Sequence, residues 1–475
     1  MKLLLATLLL VAIFSCGAAA QPPNIIIILT DDQPMASIDG KDAHGKPFMP
    51  FVQEKRQQAR RFPNSYYAQP VCCPSRTSLL TGMYPHNHGV IDNKAPSGGY
   101  YRYMKNGLDK KSWPFLLQKE YFKAMVGKFL NHYYEPQREN EGLPVQPDGW
   151  NSWFALVNPK SGFNWSAIDG KSEVDFSEYQ TDVLAEKAAT IIKQRAGKPF
   201  AMLVAPFLTH SPWKPPRRYD GIYDKEPCQP CNKPSFNEKD VSDKPKFLQF
   251  PLLSSSEVEV WKKRWRKSLE AGRAVDDLVQ TIFDALNKVG QAKNTYVIYA
   301  SDNGFLVGEH RQKGKGNPYQ ESVRSWTYVW GPGIVPGEDH HIISNMDFLP
   351  TIMEIAGRPI PDWADGRSLL PLLHGKNPPW RTVFLSQGFP MSDDEGDAKE
   401  GSGNTFLSLV RPQWTFTRYD GTNEFYDLQA DPYELKNKAS GLAGSVVNEM
   451  DNRLDALSKC RGRKECQPLE DAPFK

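Results

Sequence analysis

Three apolar runs rich in β-branched residues punctuate the chain: Asn24 to Leu29, Phe200 to Ala205, and Thr295 to Tyr299. Their near-continuous hydrophobicity predicts strands buried on both faces, as in a parallel sheet covered by helices. Each run gives way to polar positions: Thr30-Asp31-Asp32, Thr209-His210 after Pro206-Phe207-Leu208, and Ser301-Asp302-Asn303-Gly304. Ligands of open α/β sheets bind beyond the carboxyl ends of strands, so these distant segments are expected to converge on one site. Within Ser255 to Val289, Val275, Leu278, Ile282, Phe283 and Leu286 recur at helical spacing and stop at Gly290. That pattern predicts an amphipathic helix feeding the strand at Thr295.

Elsewhere the periodicity lapses. Residues 211 to 254, rich in Pro, Lys and Ser, read as a long irregular excursion that shapes access to the site. A composition break near His374 to Pro379 and an acidic, Gly-containing stretch at 391 to 404 set off a C-terminal portion. There, Thr405 to Val410 and Trp414 to Arg418 read as strands around Arg411-Pro412. The expected organisation is an α/β catalytic domain over 21–375 and a smaller α+β domain over 376–475. Residues 1–20, with Lys2, the apolar run Leu3 to Phe14 and Ala18-Ala19-Ala20, have the form of a secretory signal peptide. Ile13-Phe14-Ser15-Cys16 also faintly resembles a bacterial lipobox, which keeps lipid anchoring as an alternative. No other stretch approaches membrane-spanning length.

Composition narrows the classes. A net charge of +3 over 475 residues argues against a dedicated nucleic-acid binder. In an exported chain the close pairs Cys228/Cys231 and Cys460/Cys466 read as small-loop disulfides. A zinc site built from the same four is disfavoured, because its halves lie far apart in sequence. Cys73 is then a buried free thiol, and Asn164-Trp165-Ser166 is a glycosylation sequon if the host is a eukaryote.

The chemistry concentrates around Cys72-Cys73-Pro74-Ser75-Arg76-Thr77, which opens a helical-looking stretch ending at Gly82. Pro74 suits a first helical turn and Gly82 a helix end, so Cys72 is expected beside a helix N-terminus, where an anion is favoured. Asp31, Asp32 and Asp302, joined by Asn303, form an oxygen-only set suited to a hard divalent cation, calcium before magnesium.

The hexapeptide resembles the sulfatase signature C-x-P-S-R. The resemblance implies an alkaline-phosphatase-like core, with Cys72 oxidised to formylglycine by a formylglycine-generating enzyme. In that family one hydroxyl of the hydrated aldehyde attacks sulfur while calcium polarises the sulfate; the other hydroxyl then expels sulfate. The implied metal set is Asp31, Asp32, Cys72, Asp302 and Asn303. Arg76 would hold the hydrated aldehyde. Lys128, in Val126-Gly127-Lys128, and Lys315, in Gly314-Lys315-Gly316, would meet sulfate oxygens, with Lys313 close enough to be confused with the latter. His210, in Thr209-His210-Ser211-Pro212, matches the histidine that contacts the ester and protonates the leaving oxygen. Many members carry a second histidine where this chain has Leu130; Asn131 or His132 could substitute. Gly127-Lys128-Phe129-Leu130-Asn131 resembles the G-K-Y-L-N form of glucosamine-6-sulfatase-like members and points to sulfated sugars. Tyr426-Asp427-Leu428 through Asp431-Pro432-Tyr433-Glu434 resembles the family's C-terminal pattern.

The expected function is hydrolysis of an aryl or carbohydrate sulfate ester by a secreted, lysosomal or periplasmic enzyme. Alternatives are a phosphomonoester or phosphodiester hydrolase of the same superfamily, disfavoured by the oxygen-only metal set, and a non-catalytic sulfated-glycan-binding protein, disfavoured by the intact motif. For His86 and His88 a role at the site and a structural role are equally open. The run Trp261-Lys262-Lys263-Arg264-Trp265-Arg266-Lys267 could grip a polyanionic glycan, but the favoured reading is the wet face of a helix. His310 and Arg311, beside Glu309, are weaker candidates for lining the entrance.

Overall fold

The computed structural model describes residues 21–134, 142–157, 159–391 and 405–474. The signal-peptide and lipobox readings and residues 392–404 of the acidic stretch lie outside the described residues.

The three apolar runs become β1 (Asn24–Thr30), β7 (Phe200–Ala205) and β8 (Thr295–Ser301), with β1 between the other two and parallel to both. β7 continues to β3 (Phe122–Gly127) and β4 (Ser152–Leu156), also parallel. Beyond β4 the sheet turns antiparallel through β5 (Trp165–Asp169) and β6 (Ser172–Phe176). On the other flank β8 pairs antiparallel with β9 (Arg324–Trp330), and β9 with β2 (Arg60–Tyr66). The short β10 (Gly337–Glu338) and β11 (Ile343–Ser344) both lie parallel to β2.

Alternate residues of β1 feed opposite cores, which explains the unbroken hydrophobic run. Ile25, Ile27 and Leu29 pack with Leu79, Leu80, Phe348 and Ile352 on one face. Ile26 and Ile28 pack with Leu184, Ile191, Val275, Leu278 and Ile282 on the other. A truncation such as Ile27→Ala would therefore cost about 2–5 kcal/mol, the usual penalty for a cavity in a close-packed core. Of that second set, Leu184 and Ile191 lie on a helix at Gln180–Gln194, and Val275, Leu278 and Ile282 on one at Ser255–Lys288, close to its sequence-based bounds. A reciprocal cap starts it: Ser254 Oγ accepts from Glu257 N at 3.3 Å, and Ser254 N donates to Glu257 Oε2 at 2.8 Å.

The C-terminal portion is a second, smaller antiparallel sheet, β12 (Phe384–Gly388), β13 (Phe406–Arg411), β14 (Trp414–Tyr419) and β15 (Thr422–Asp427), in that order. Met450, Leu454 and Leu457, from a helix at Gly444–Leu457, pack on Phe384, Leu409 and Phe416. Buried charges tie it to the main body. Arg381 donates to both oxygens of Asp347 at 2.7 Å and to Glu470 at 3.0 Å, and Arg367 adds a 2.8 Å bond to Glu470. Both expected disulfides are present, Cys228–Cys231 and Cys460–Cys466, and Cys73 is free and buried. No helix among the described residues is long and apolar enough to cross a membrane.

Candidate active site

The parallel strands deliver their carboxyl ends to one edge, and the residues that follow meet there. Asp31 and Asp32 follow β1, Lys128 follows β3, Thr209 and His210 follow β7, and Asp302 and Asn303 follow β8. Lys128 owes its position to the residue before it. Gly127 has φ 115°, and a Cβ there would come within 2.2 Å of the Ala205 carbonyl oxygen, so the two strand ends can close only around glycine.

Cys72 is the first residue of a helix at Cys72–Thr81, all ten residues of which are buried and which ends on Gly82 at φ 71°. The expectation that Cys72 lies beside a helix N-terminus therefore holds. Neighbouring side chains fix this turn: Cys73 N donates to Asn93 Oδ1 at 2.9 Å, and Ser75 Oγ donates to the Asp302 carbonyl. Asn345 Nδ2 donates to Ser75 Oγ at 2.6 Å and Ser75 O at 2.8 Å. Sequence reasoning passed over Asn93 and Asn345, since an isolated Asn carries no spacing signal, and gave Ser75 of the signature no bonding role.

Around Cys72 the charges alternate. Lys315 Nζ lies 2.7 Å from Cys72 Sγ and 2.5 Å from Asp32 Oδ1. Cys72 Sγ donates to Asp31 Oδ1 at 3.3 Å. Arg76 Nε donates to Asp302 Oδ2 at 2.8 Å, its Nη2 to Asp31 Oδ2 at 3.1 Å, and its Nη1 to the Lys128 carbonyl at 2.8 Å. Lys128 Nζ is 2.6 Å from Asp31 Oδ2, and His210 Nε2 is 3.3 Å from Asp32 Oδ2. His210 Nδ1 sits 2.7 Å from the Ser211 carbonyl, which can only accept, so Nδ1 carries a proton and Nε2 points into the site. Lys313, the lysine that spacing alone could confuse with Lys315, points elsewhere, to Glu257 at 3.3 Å.

Burial sharpens every one of these interactions. Desolvation opposes ionisation of Asp31, yet Lys128 and Arg76 outweigh it and hold the carboxyl well below the usual carboxylate range. Asp302 moves the other way, pushed up by burial and by Asp31. Burial, then Asp31, push the Cys72 thiol well above its ordinary value, so the sulfur is not poised as a thiolate.

Asp31, Asp32, Cys72 and His210 offer ligand atoms all within 4.8 Å of one another. Asn303 Nδ2 donates to Asp32 Oδ1 at 2.7 Å, which turns its buried Oδ1 away without a partner, as a metal-directed oxygen would be. The oxygens of Asp302 are engaged by Asp32 N at 3.1 Å and by Arg76. His210 is the group in this cluster that the sequence reading did not place among the ligands. The three carboxylates Asp31, Asp32 and Asp302 face the three cations Arg76, Lys128 and Lys315, so an added divalent cation would leave positive charge for an anionic substrate.

Other candidates fall away from the site. His88 is buried, accepts from Val90 N on Nδ1 at 3.1 Å and faces Ser78 Oγ through Nε2 at 3.1 Å; burial pushes its pKa down to about 3, a structural role. His86 contacts Gln387 and the Cys460 carbonyl of the C-terminal portion. Trp261 and Trp265 are buried, Lys262 and Lys267 pair with acids of their own chain, and Arg266 holds the Glu226 carbonyl, as the wet-face reading expects. His310 lines no entrance: it is fully buried against Glu238, while Arg311 holds the backbone carbonyls of Glu238, Lys239 and Phe250.

A thiol at a helix N-terminus, ringed by carboxylates and cations at the carboxyl edge of an α/β sheet, is a setting suited to a hydrolase of anionic esters. The model of the family described as Sulfatase matches residues 23–358, and one described as N-sulphoglucosamine sulphohydrolase, C-terminal, matches residues 308–460. The chain belongs to the sulfatase family and is a sulfuric ester hydrolase. It is 30% identical to the N-acetylglucosamine-6-sulfatase of Homo sapiens, over 95% of this chain and 87% of that one. It is 29% identical to an arylsulfatase of Volvox carteri, over 96% and 78% of the two chains. A solved structure held in complex with its substrate D-glucosamine-2-N,6-O-disulfate shares the fold, with TM-score 0.74 at 22% identity, covering 95% of this chain and 100% of that chain. These likenesses place the chain in the arylsulfatase and N-acetylglucosamine-6-sulfatase-like branch, and the observed core is the alkaline-phosphatase-like one expected.

Proposed function

We propose that this protein removes sulfate from 6-sulfated glucosamine-type sugars, using an oxygen nucleophile made from Cys72 and one calcium ion. The observation that carries the reading is the position of Cys72: first residue of a buried helix, with Lys315 at 2.7 Å and Asp31 at 3.3 Å. A thiol held protonated there is a poor nucleophile, whereas formylglycine would supply a hydroxyl at the same point.

Asp31, Asp32, Asp302 and Asn303 would hold the ion, with the Cys72-derived side chain as a further ligand. When bound, calcium supplies Lewis-acid polarisation of a sulfate oxygen. The remaining work falls to the chain itself. Lys128 and Lys315 bind the sulfate oxygens, and their charge is worth most where water is excluded. Arg76, locked to two carboxylates and a carbonyl, orients the nucleophile without having to reorganise. His210 presents Nε2 to the leaving sugar oxygen and holds the proton that oxygen needs. The sugar preference rests on the similarity to N-acetylglucosamine-6-sulfatases and on Gly127-Lys128-Phe129-Leu130-Asn131. Export through residues 1–20, modification of Asn164 and the boundary between domains at 375/376 belong to the same reading; both disulfides agree with an oxidising compartment.

The test is peptide mass spectrometry with a turnover assay on N-acetylglucosamine 6-sulfate, using protein from a host that can convert the cysteine. The tryptic peptide Phe62 to Arg76 should be lighter than its encoded mass by about 18 Da, and sulfate release should require calcium. An unmodified thiol in fully active protein would sink the formylglycine mechanism.

A further inference from the structure

A second group of metal-capable side chains lies outside the active site, where the segment carrying Lys315 meets the C-terminal sheet. His310, Glu321 and Glu434 offer ligand atoms all within 4.8 Å of one another. His310 is fully buried, and Glu238 Oε2 holds its Nδ1 at 2.8 Å. Its Nε2 is buried and has no hydrogen-bond partner. A carboxylate on one ring nitrogen is the device that fixes the tautomer and direction of a metal-binding histidine. The ring is held further by stacking on Tyr319 at 4.1 Å between centroids.

The two carboxylates are similarly braced. Glu434 accepts from Gln320 N at 2.9 Å and Thr415 Oγ1 at 3.3 Å. Lys233 Nζ holds Glu321 Oε1 at 2.8 Å. Lys244 is spent on Glu238 at 3.4 Å and on the Glu434 carbonyl at 3.0 Å. A cavity of about 230 Å³ adjoins the cluster through Glu309, Gln320 and Glu321, giving an ion a way in.

We propose that His310, Glu321 and Glu434 form a structural site for a divalent transition-metal ion, zinc being the natural occupant, which clamps the Lys315 segment to the C-terminal sheet. One imidazole and two carboxylates suit zinc better than calcium, which prefers oxygen alone. Ligands about 2.0–2.2 Å from a common tetrahedral ion lie roughly 3.3–3.6 Å apart, so ligand atoms now within 4.8 Å of one another would close by up to about 1.5 Å on binding it.

The experiment uses the full-length protein carrying Asp31→Asn and Cys72→Ala, which disarms the active-site cluster. It is stripped with chelator, dialysed against micromolar zinc with excess calcium, and analysed for metal by mass spectrometry and for Tm. One tightly held zinc per chain and a raised Tm are expected, both lost on adding His310→Gln or, should that variant not fold, Glu321→Gln. No bound zinc in the Asp31→Asn/Cys72→Ala protein, or zinc content unchanged by those substitutions, would overturn the proposal. Neither result bears on sulfate hydrolysis, which is read separately on wild-type protein.

Discussion

Replacing Arg381 by methionine should cost the fold about 3–4 kcal/mol. The guanidinium is fully buried and makes three charge-assisted bonds, two to Asp347 and one to Glu470. Each such bond is worth about 1.5–3 kcal/mol, but the sum overstates the loss because the partners are not equally abandoned. Glu470 keeps Arg367 at 2.8 Å. Asp347 keeps only neutral donors, Ser344 N at 2.8 Å and Arg367 N at 2.9 Å, and is left as a buried charge without a cation. One orphaned carboxylate places the cost near the lower end of the roughly 3–5 kcal/mol seen when a buried pair loses a member. Methionine fills much of the vacated volume, so a cavity adds little. The assay is urea denaturation of wild type, Arg381→Met and the double variant Arg381→Met/Asp347→Asn. The double variant should recover part of the loss, because its amide needs no counter-charge. A single-variant cost below about 1 kcal/mol, or no recovery in the double, would refute the account of this junction.

Cys72→Ala should abolish turnover while shifting Tm by no more than a few degrees, since Lys315 keeps Asp32; substantial residual sulfate release would contradict the assigned nucleophile. Chelation of wild-type protein should remove activity, and calcium at about 100 times its Kd should add about 2.7 kcal/mol of stability. That increment should shrink in Asn303→Leu, and equal calcium stabilisation of both proteins would remove Asn303 from the ligand set. Asp276, which accepts from Phe51 N and Val52 N at 2.9 Å, is pushed up to about 6 by burial, against those two donors. Its folded value lies above the ordinary 3.8, so its contribution is greatest below about pH 4 and is lost as pH rises through about 6. Measured against Asp276→Asn, wild type should lose roughly 2–3 kcal/mol of stability between pH 4 and pH 7; a flat difference would refute the shift.

Much of the site could be read before the fold because its residues follow strands that announce themselves. β1, β7 and β8 are buried on both faces, and such strands must be continuously apolar. β3 did not stand out: Phe122-Lys123-Ala124-Met125-Val126-Gly127 contains a lysine and few β-branched residues, so Lys128 rested on motif spacing alone. β9 was passed over for another reason, since three of its first four residues, Arg324, Ser325 and Thr327, are polar and mask the continuous apolar signature of a central strand. Asn93 and Asn345 escaped notice because their work is to hold backbone groups across long sequence separations, and Thr209, though placed at a strand end, gave no sign that its Oγ1 donates to the Asp31 carbonyl at 2.6 Å. His310 was misread for a related reason: its neighbours Glu238 and Glu434 come from other segments, so its burial could not be inferred locally.

The helix from Cys72 to Thr81 is buried at all ten positions, with no face turned to water. On the formylglycine reading, this imposes an order on the protein's birth. An enzyme that rewrites Cys72 must reach its side chain, which is buried in the finished molecule, and extraction there would mean breaking the Arg76 clamp and the Asn345 bonds together. Conversion must therefore precede closure of the core. A chain that folds first has spent its one opportunity, and would persist as a stable, disulfide-bonded and permanently inactive twin of the enzyme.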